Sequence, residues 1–273
     1  MHFMEAKKVL YVTQEMFPYL PASEMANICR KLPQAIQEQG REIRTFMPKY
    51  GCINERRNQL HEVIRLSGMN LIIDETDHQL IIKVASIQSA RMQVYFIDNE
   101  DYFRRKFVLA DADGKEFVDN ADRAIFFARG VLETVKKLRW TPDIIHCHGW
   151  FTSILPAYVK KVYSEDPFFA QSKVVYSVYD NEFKTPLSAD ITKRVIIDGI
   201  TAKDLSPLEK GADFANLSKF AINYSDGVIQ ASKAVDHSVM QYAKDAGKLT
   251  LDYVDEENYV SAYNQFYDKV LGV

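Results

Sequence analysis

Two short apolar runs of β-branched character, Val9 to Thr13 and Ile43 to Met47, flank a segment of helical periodicity. In that segment Met25, Ile28, Cys29, Leu32 and Ile36 share one helical face, Ser23 stands where an N-cap is needed, and Gly40 follows the end. The pattern predicts a βαβ unit whose helix is kinked or divided at Pro33, because proline removes a backbone donor and crowds the preceding turn. From His61 to Asp98 the rhythm changes. Val63 to Leu66, Leu71 to Ile73, Leu80 to Ile87 and Met92 to Ile97 follow too closely for helices between them, so this stretch predicts antiparallel pairing beside a parallel sheet.

Beyond the acidic loop Asp111 to Lys115, a helix capped by Asp119 or Asn120 is predicted through Ala121, Ile125, Ala128, Leu132, Val135 and Leu138, with Pro142 as its stop. Strand and helix patterns then alternate: Ile144 to Cys147, Ser153 to Val162, Val174 to Val178, Ser188 to Ile197, Asn216 to Tyr224, Val228 to Ala231 and Val235 to Ala246. Such alternation predicts an α/β fold, a Rossmann-like, mostly parallel sheet with helices on both faces, and ligands beyond the carboxyl ends of the strands. The last helix is capped at Asp255, with Val254 stapling onto Tyr259, and carries the stripe Tyr259, Tyr263, Phe266, Tyr267 and Val270 before Gly272. That spacing predicts packing onto the sheet. No internal repeat or low-complexity linker divides the chain, so residues 1–273 read as one domain, with the final helix at about 255–271.

Composition narrows the possible partners. The 273 residues are 47% apolar and 26% charged with a formal net charge of −3, an ordinary globular balance without overall attraction to nucleic acid. Arg104, Arg105 and Lys106 read as a solvated turn. No apolar run is long enough for a membrane span, and Met1 to Lys8 lacks the apolar stretch of a secretory leader, so a cytoplasmic location is expected. Cys29, Cys52 and Cys147 show no CxxC spacing and read as reduced, buried thiols.

Candidate chemistry begins at the first βα turn, which a dinucleotide cofactor would require to be glycine-rich. Here Gln14 to Glu24 contains no glycine and ends in a carboxylate, which repels phosphate at a helix N-terminus. No P-loop or GxSxG elbow occurs, and no cofactor is expected. His146-Cys147-His148 places two imidazoles on one strand face, either at a substrate-facing edge or as core histidines. A zinc site there would lack nearby ligands to complete it. Trp150 can offer a flat face to a sugar ring or pack internally.

These residues lie within a longer likeness. VYFIDNEDYFRR from Val94 and DNADRAIFFARGVLETVKKLRWTPDIIHCHGWFTSILPAYVK from Asp119 resemble the N-terminal catalytic domain of bacterial glycogen and starch synthases. The likeness extends to KKVLYVTQEMFPY at Lys7, MPKYG at Met47 and, more weakly, NLSKFAINYSDGVIQAS at Asn216. The resemblance implies the first domain of a two-domain GT-B glycosyltransferase. Such enzymes transfer glucose from ADP-glucose to an α-1,4-glucan, with the acceptor held mainly by this domain. It further implies acceptor-side roles for Glu15, Asn99, His146, His148 and Trp150, and Tyr179 can stack on a sugar or donate a hydrogen bond.

Three departures accompany the likeness. The family's Lys-x-Gly-Gly turn is matched by Pro21, Ala22, Ser23 and Glu24, the aspartate of HxHDW by Gly149, and the His-Asn pair after the next strand by Tyr179-Asp180. The donor-binding domain has no counterpart, as if excised between about Ala246 and Tyr253 with the returning helix kept. Two functional expectations follow. One is a synthase homologue that needs a separate donor-domain chain or an altered mechanism; the other is a non-catalytic module that binds α-glucan or maltooligosaccharide, or regulates a synthase.

Overall fold

A computed structural model describes residues 6–273; Met1 to Glu5, part of the stretch read for a leader, lies outside the described residues. The strands are β1 (Lys8–Thr13), β2 (Glu42–Pro48), β3 (His61–Glu62), β4 (Met69–Ile73), β5 (Thr76–Ile87), β6 (Met92–Asp98), β7 (Ile144–His148), β8 (Lys173–Val178), β9 (Gly227–Gln230) and β10 (Leu249–Leu251). They form one sheet in the order β10-β9-β8-β7-β1-β2-β6-β5-β3, with β4 paired to β5. From β10 through β6 every pairing is parallel, while β3, β4 and β6 all run antiparallel to β5. All the parallel strands therefore end at one edge, and the chain reverses its direction of travel across the sheet between β1 and β7. That reversal opens the crevice in which α/β proteins of this type place ligands.

The helices are α1 (Glu24–Glu38), α2 (Glu100–Phe103), α3 (Asn120–Lys137), α4 (Leu155–Ala157), α5 (Ile191–Arg194), α6 (Phe214–Asn223), α7 (His237–Asp245) and α8 (Tyr259–Leu271). Alternate residues of β1 divide the core in two. Leu10 and Val12 join α3, α4, α6 and α7 on one face, whereas Val9 and Tyr11 meet Leu32 and Ile36 of α1 and the stripe of α8 on the other. Tyr259, Tyr263, Phe266, Tyr267 and Val270 are all buried, and Gly272 closes the helix in the left-handed conformation.

Several local expectations are revised. Glu24–Glu38 is one helix rather than two pieces, with Pro33 buried inside it; the bond lost to Cys29 is offset by packing of the ring in the core. Val63 to Leu66 is a turn, and the strand is the preceding His61–Glu62. Ser153 to Val162 is α4 followed by a π-helical turn at Tyr158–Val162, and Ser188 to Ile197 holds only the single turn α5. Asp255 accepts hydrogen bonds from the backbone N–H groups of Glu257 and Asn258, so it caps the turn before α8 and not α8 itself. Asp119 is the N-cap residue of α3, but its carboxylate pairs with Arg105 instead of capping. Arg105 also lies over Phe117 and Arg104 pairs with Glu100, so this basic turn is not merely solvated. Cys29 and Cys147 are buried free thiols, but Cys52 is exposed. No helix among the described residues is long and apolar enough to cross a membrane.

Candidate functional site at the carboxyl edge of the sheet

The crevice between β1 and β7 is filled by the chain's own side chains. Gln14, the residue after β1, is 1% exposed; its Oε1 accepts from the Phe151 N–H at 3.1 Å and from Asn181 Nδ2 at 3.4 Å. Its backbone N–H reaches the His148 carbonyl at 3.2 Å. Met25, from the first turn of α1, closes over Gly149. A Cβ built on Gly149 would lie 2.7 Å from the Met25 methyl and 2.8 Å from Gln14 Oε1.

Beneath this plug the two histidines face the α8 side of β7. Their ring centroids are 3.8 Å apart, and both residues are fully buried. His146 Nδ1 lies 2.7 Å from the Tyr267 hydroxyl and Nε2 lies 2.7 Å from Ser177 Oγ. Because Tyr267 donates onward to Tyr11 at 3.3 Å, His146 carries its proton on Nδ1 and accepts from Ser177 at Nε2. His148 Nδ1 is 2.7 Å from the Tyr179 hydroxyl, while its Nε2 has no protein partner among the described residues. Burial holds His146 well below the usual histidine range, helped by the neighbouring His148, and pushes His148 down to about 3.

Both imidazoles are thus neutral at neutral pH, and a pH dependence follows. A histidine whose folded pKa lies below its unfolded value contributes stability that is complete above about pH 6.5 and is lost as pH falls toward the folded value. Below about pH 6 the unfolding free energy should fall with a slope approaching about 1.4 kcal/mol per pH unit from His148, and His146 adds a slope of the same sign. Urea unfolding at several pH values measures this slope, and it should be shallower in His148→Gln. Equal slopes in the two proteins would remove His148 from the account.

The remaining candidates occupy varied surroundings. Trp150 is 2% exposed with Phe183 packed 4.7 Å away, and Tyr179 is 2% exposed, so neither presents an open face: Phe183 covers the first, and Tyr179 itself covers His148. Asn99 is buried; its Oδ1 caps α2 by accepting from the Asp101 and Tyr102 N–H groups, and its Nδ2 donates to the Gln79 carbonyl. Glu15 is half-buried and accepts from Ser23 Oγ at 2.8 Å, the same hydroxyl that caps α1 at Ala26. Glu24 accepts from Ser232 Oγ, which ties the start of α1 to the segment after β9. The helix N-terminus that could face a phosphate therefore presents a carboxylate.

Open space lies to one side of the plug. A cavity of about 500 Å³ separates the segment Glu116 to Asp122 from the loop after β8, with Phe183, Pro186 and Arg194 along its wall. Arg194 binds Asp122 through Nη1 at 2.7 and 2.9 Å and reaches Asp74 at 2.9 Å, which fixes α5 against α3. Glu116 accepts from the Lys184 and Thr185 N–H groups at 2.8 Å, joining the two walls. Behind the cavity sits Arg123, a residue that motif reading leaves without a role. Fully buried, it donates to the Tyr102 carbonyl and to Asn120 Oδ1 and lies within 6 Å of the rings of Tyr50, Phe103, Phe117 and Phe151. Burial lowers its pKa to about 10.

This arrangement is an α/β, mostly parallel sheet of the GT-B glycosyltransferase type, and comparison with known proteins names the family. The family described as the starch synthase catalytic domain matches residues 8–252, and the chain belongs to it. A glycogen synthase of Chlorobium limicola is 35% identical over 227 residues, covering 83% of this chain and 46% of that protein. A glycogen synthase of Chlorobaculum tepidum is 41% identical over 174 residues, 63% of this chain and 36% of the relative. Among solved structures, the catalytic domain of starch synthase IV from Arabidopsis thaliana, bound to ADP and acarbose, superposes with a TM-score of 0.75 at 19% identity. That superposition covers 92% of this chain and 52% of the plant chain, and it shows the shared fold. The chain spans about half the length of the curated relatives it matches.

Proposed function

We propose that this chain is an acceptor-holding lobe of the glycogen and starch synthase type, which binds α-glucan or maltooligosaccharide and does not itself transfer glucose from ADP-glucose. The observation that carries this reading is the filled crevice: Gln14, Met25 and Tyr179 occupy the ground at the switch point, and Glu24 opens the helix beside it. A diphosphate there would meet a carboxylate and no glycine-lined backbone. In this reading ADP-glucose is held by ground outside this lobe, the protein works in the cytoplasm, and neither nucleic acid nor membrane is a partner. The net charge of −3 and the free cysteines support that setting.

The glucan surface is then the cavity beside the plug. Phe183 supplies an aromatic wall, and Asp119, Asn120 and Thr185 supply polar groups around it. Trp150 packs behind Phe183, and Tyr179, at the start of the loop after β8, is held by His148; His146, Asn99 and Glu15 lie outside the cavity lining. Maltoheptaose titration followed by amide chemical shifts is the test. Shifts should cluster at residues 116–122 and 183–188, and Phe183→Ala should weaken binding about tenfold, equivalent to about 1.4 kcal/mol. Unchanged affinity in Phe183→Ala would exclude this cavity. Trp150→Ala is not a clean alternative, because that side chain is core.

A further inference from the structure

We propose that a groove at the opposite edge of the sheet, near the amino ends of β2 and β6, binds a phosphorylated sugar. The groove has a volume of about 400 Å³, and besides Tyr95 its polar lining is Gln37, Arg44, Ser86, Gln88, Arg91 and Gln93. No carboxylate is among its lining residues, although the protein as a whole is acidic. A concavity that gathers guanidinium groups and excludes acids has the field an anion requires.

Arg44 is held in place for such a role. Its guanidinium lies between two rings, 5.9 Å from the Tyr95 centroid and 5.3 Å from that of Trp140, and Nη1 donates to the Tyr95 hydroxyl at 2.8 Å. Its Nε is buried without an acceptor, and no carboxylate lies within 4 Å of its side-chain nitrogens among the described residues. Glu42, two positions away on the same strand face, is engaged by the Trp140 indole N–H. A guanidinium clamped by aromatic rings has already lost much of its rotamer freedom, so its Nη2 group can meet a phosphate at little further entropic cost, while the buried Nε does not face the groove.

Arg91 adds a second cation by an unusual backbone route. It follows the short turn Gln88–Ala90 with φ of 51°, the left-handed region that a side-chain-bearing residue rarely adopts. Its exposed side chain makes no ion pair among the described residues, and the groove is among the surfaces it lines. The class of ligand follows from size and from the other polar groups. A bare phosphate would leave most of the groove empty. Three carboxamides and the Ser86 hydroxyl, none hydrogen-bonded through its side chain to other protein groups among the described residues, provide the paired donors and acceptors that sugar hydroxyls need. The groove is remote from the cavity proposed for glucan, so the two readings stand or fall separately.

The test uses the full chain titrated with fructose 6-phosphate, inorganic phosphate and unphosphorylated fructose at constant ionic strength, followed by calorimetry and amide and arginine side-chain chemical shifts. Fructose 6-phosphate should saturate with a Kd below about 1 mM and move the signals of Arg44 and residues 86–93. Inorganic phosphate should bind at least about tenfold more weakly at the same residues, and fructose should not bind. Arg91→Gln, at an exposed position, should weaken the sugar phosphate at least about tenfold with unchanged thermal unfolding, and Arg44→Gln should do the same even if its melting temperature falls. The proposal is overturned if no saturable shift appears at these residues, if inorganic phosphate or fructose binds as tightly as the sugar phosphate, or if Arg91→Gln leaves affinity unchanged.

Discussion

Replacing Phe266 by alanine should lower the unfolding free energy by about 3–5 kcal/mol, as removal of a large buried aromatic does when its surroundings cannot collapse. The residue is 3% exposed and its ring packs against β9: a Cβ added to Gly227 would be 2.8 Å from both Phe266 Cε1 and Val270 Cγ2. Denaturant unfolding of wild type and Phe266→Ala measures the loss, a large share of the roughly 5–15 kcal/mol available to an ordinary domain. The effect should extend to the histidines, because Tyr267, the next residue, holds His146. A midpoint unchanged by the substitution would mean that α8 contributes little to this face of the sheet.

Gly149→Asp should also be strongly destabilising, although it restores the residue that the family resemblance places there. Gly149 has φ of 84° and ψ of 163°, a region essentially closed to other residues, and its missing side chain leaves room that Met25 and Gln14 occupy. Strain and overpacking together should cost roughly 2–5 kcal/mol, and no glucosyl transfer should appear. A stable, transfer-active Gly149→Asp protein would show that the crevice is adaptable and would undo the reading of a lobe closed to donor.

The parts of the fold that were legible are those with long periodic patterns. The apolar runs of β1, β2, β7 and β8 and the helical faces of α1, α3 and α8 carry enough side chains to show period two or period 3.6. Leu249–Leu251 does not; three residues cannot display a period, and the strand exists because β9 beside it offers a free edge. Val63 to Leu66 has strand composition, yet Val63 and Leu66 close a turn through a Leu66 N–H to Val63 carbonyl bond. The histidine pair was visible as a motif, but its meaning was not, since Tyr267 comes from 121 residues away and Ser177 from another strand. The same limit hid the cavity, whose walls at Glu116 and Thr185 are 69 residues apart and share no motif. Trp150 and Tyr179 were identifiable as aromatic residues at the right edge, while the covering Phe183 belongs to an irregular loop that no spacing rule marks.

Parallel calorimetric titrations of the isolated chain with maltoheptaose and with ADP-glucose, each to about 10 mM, test the central claim most directly. Saturable binding of the glucan and no measurable heat of binding for ADP-glucose are the expected results. Saturable ADP-glucose binding that is altered by substitution at Gln14 or Glu24, with no response to maltoheptaose, would contradict that claim.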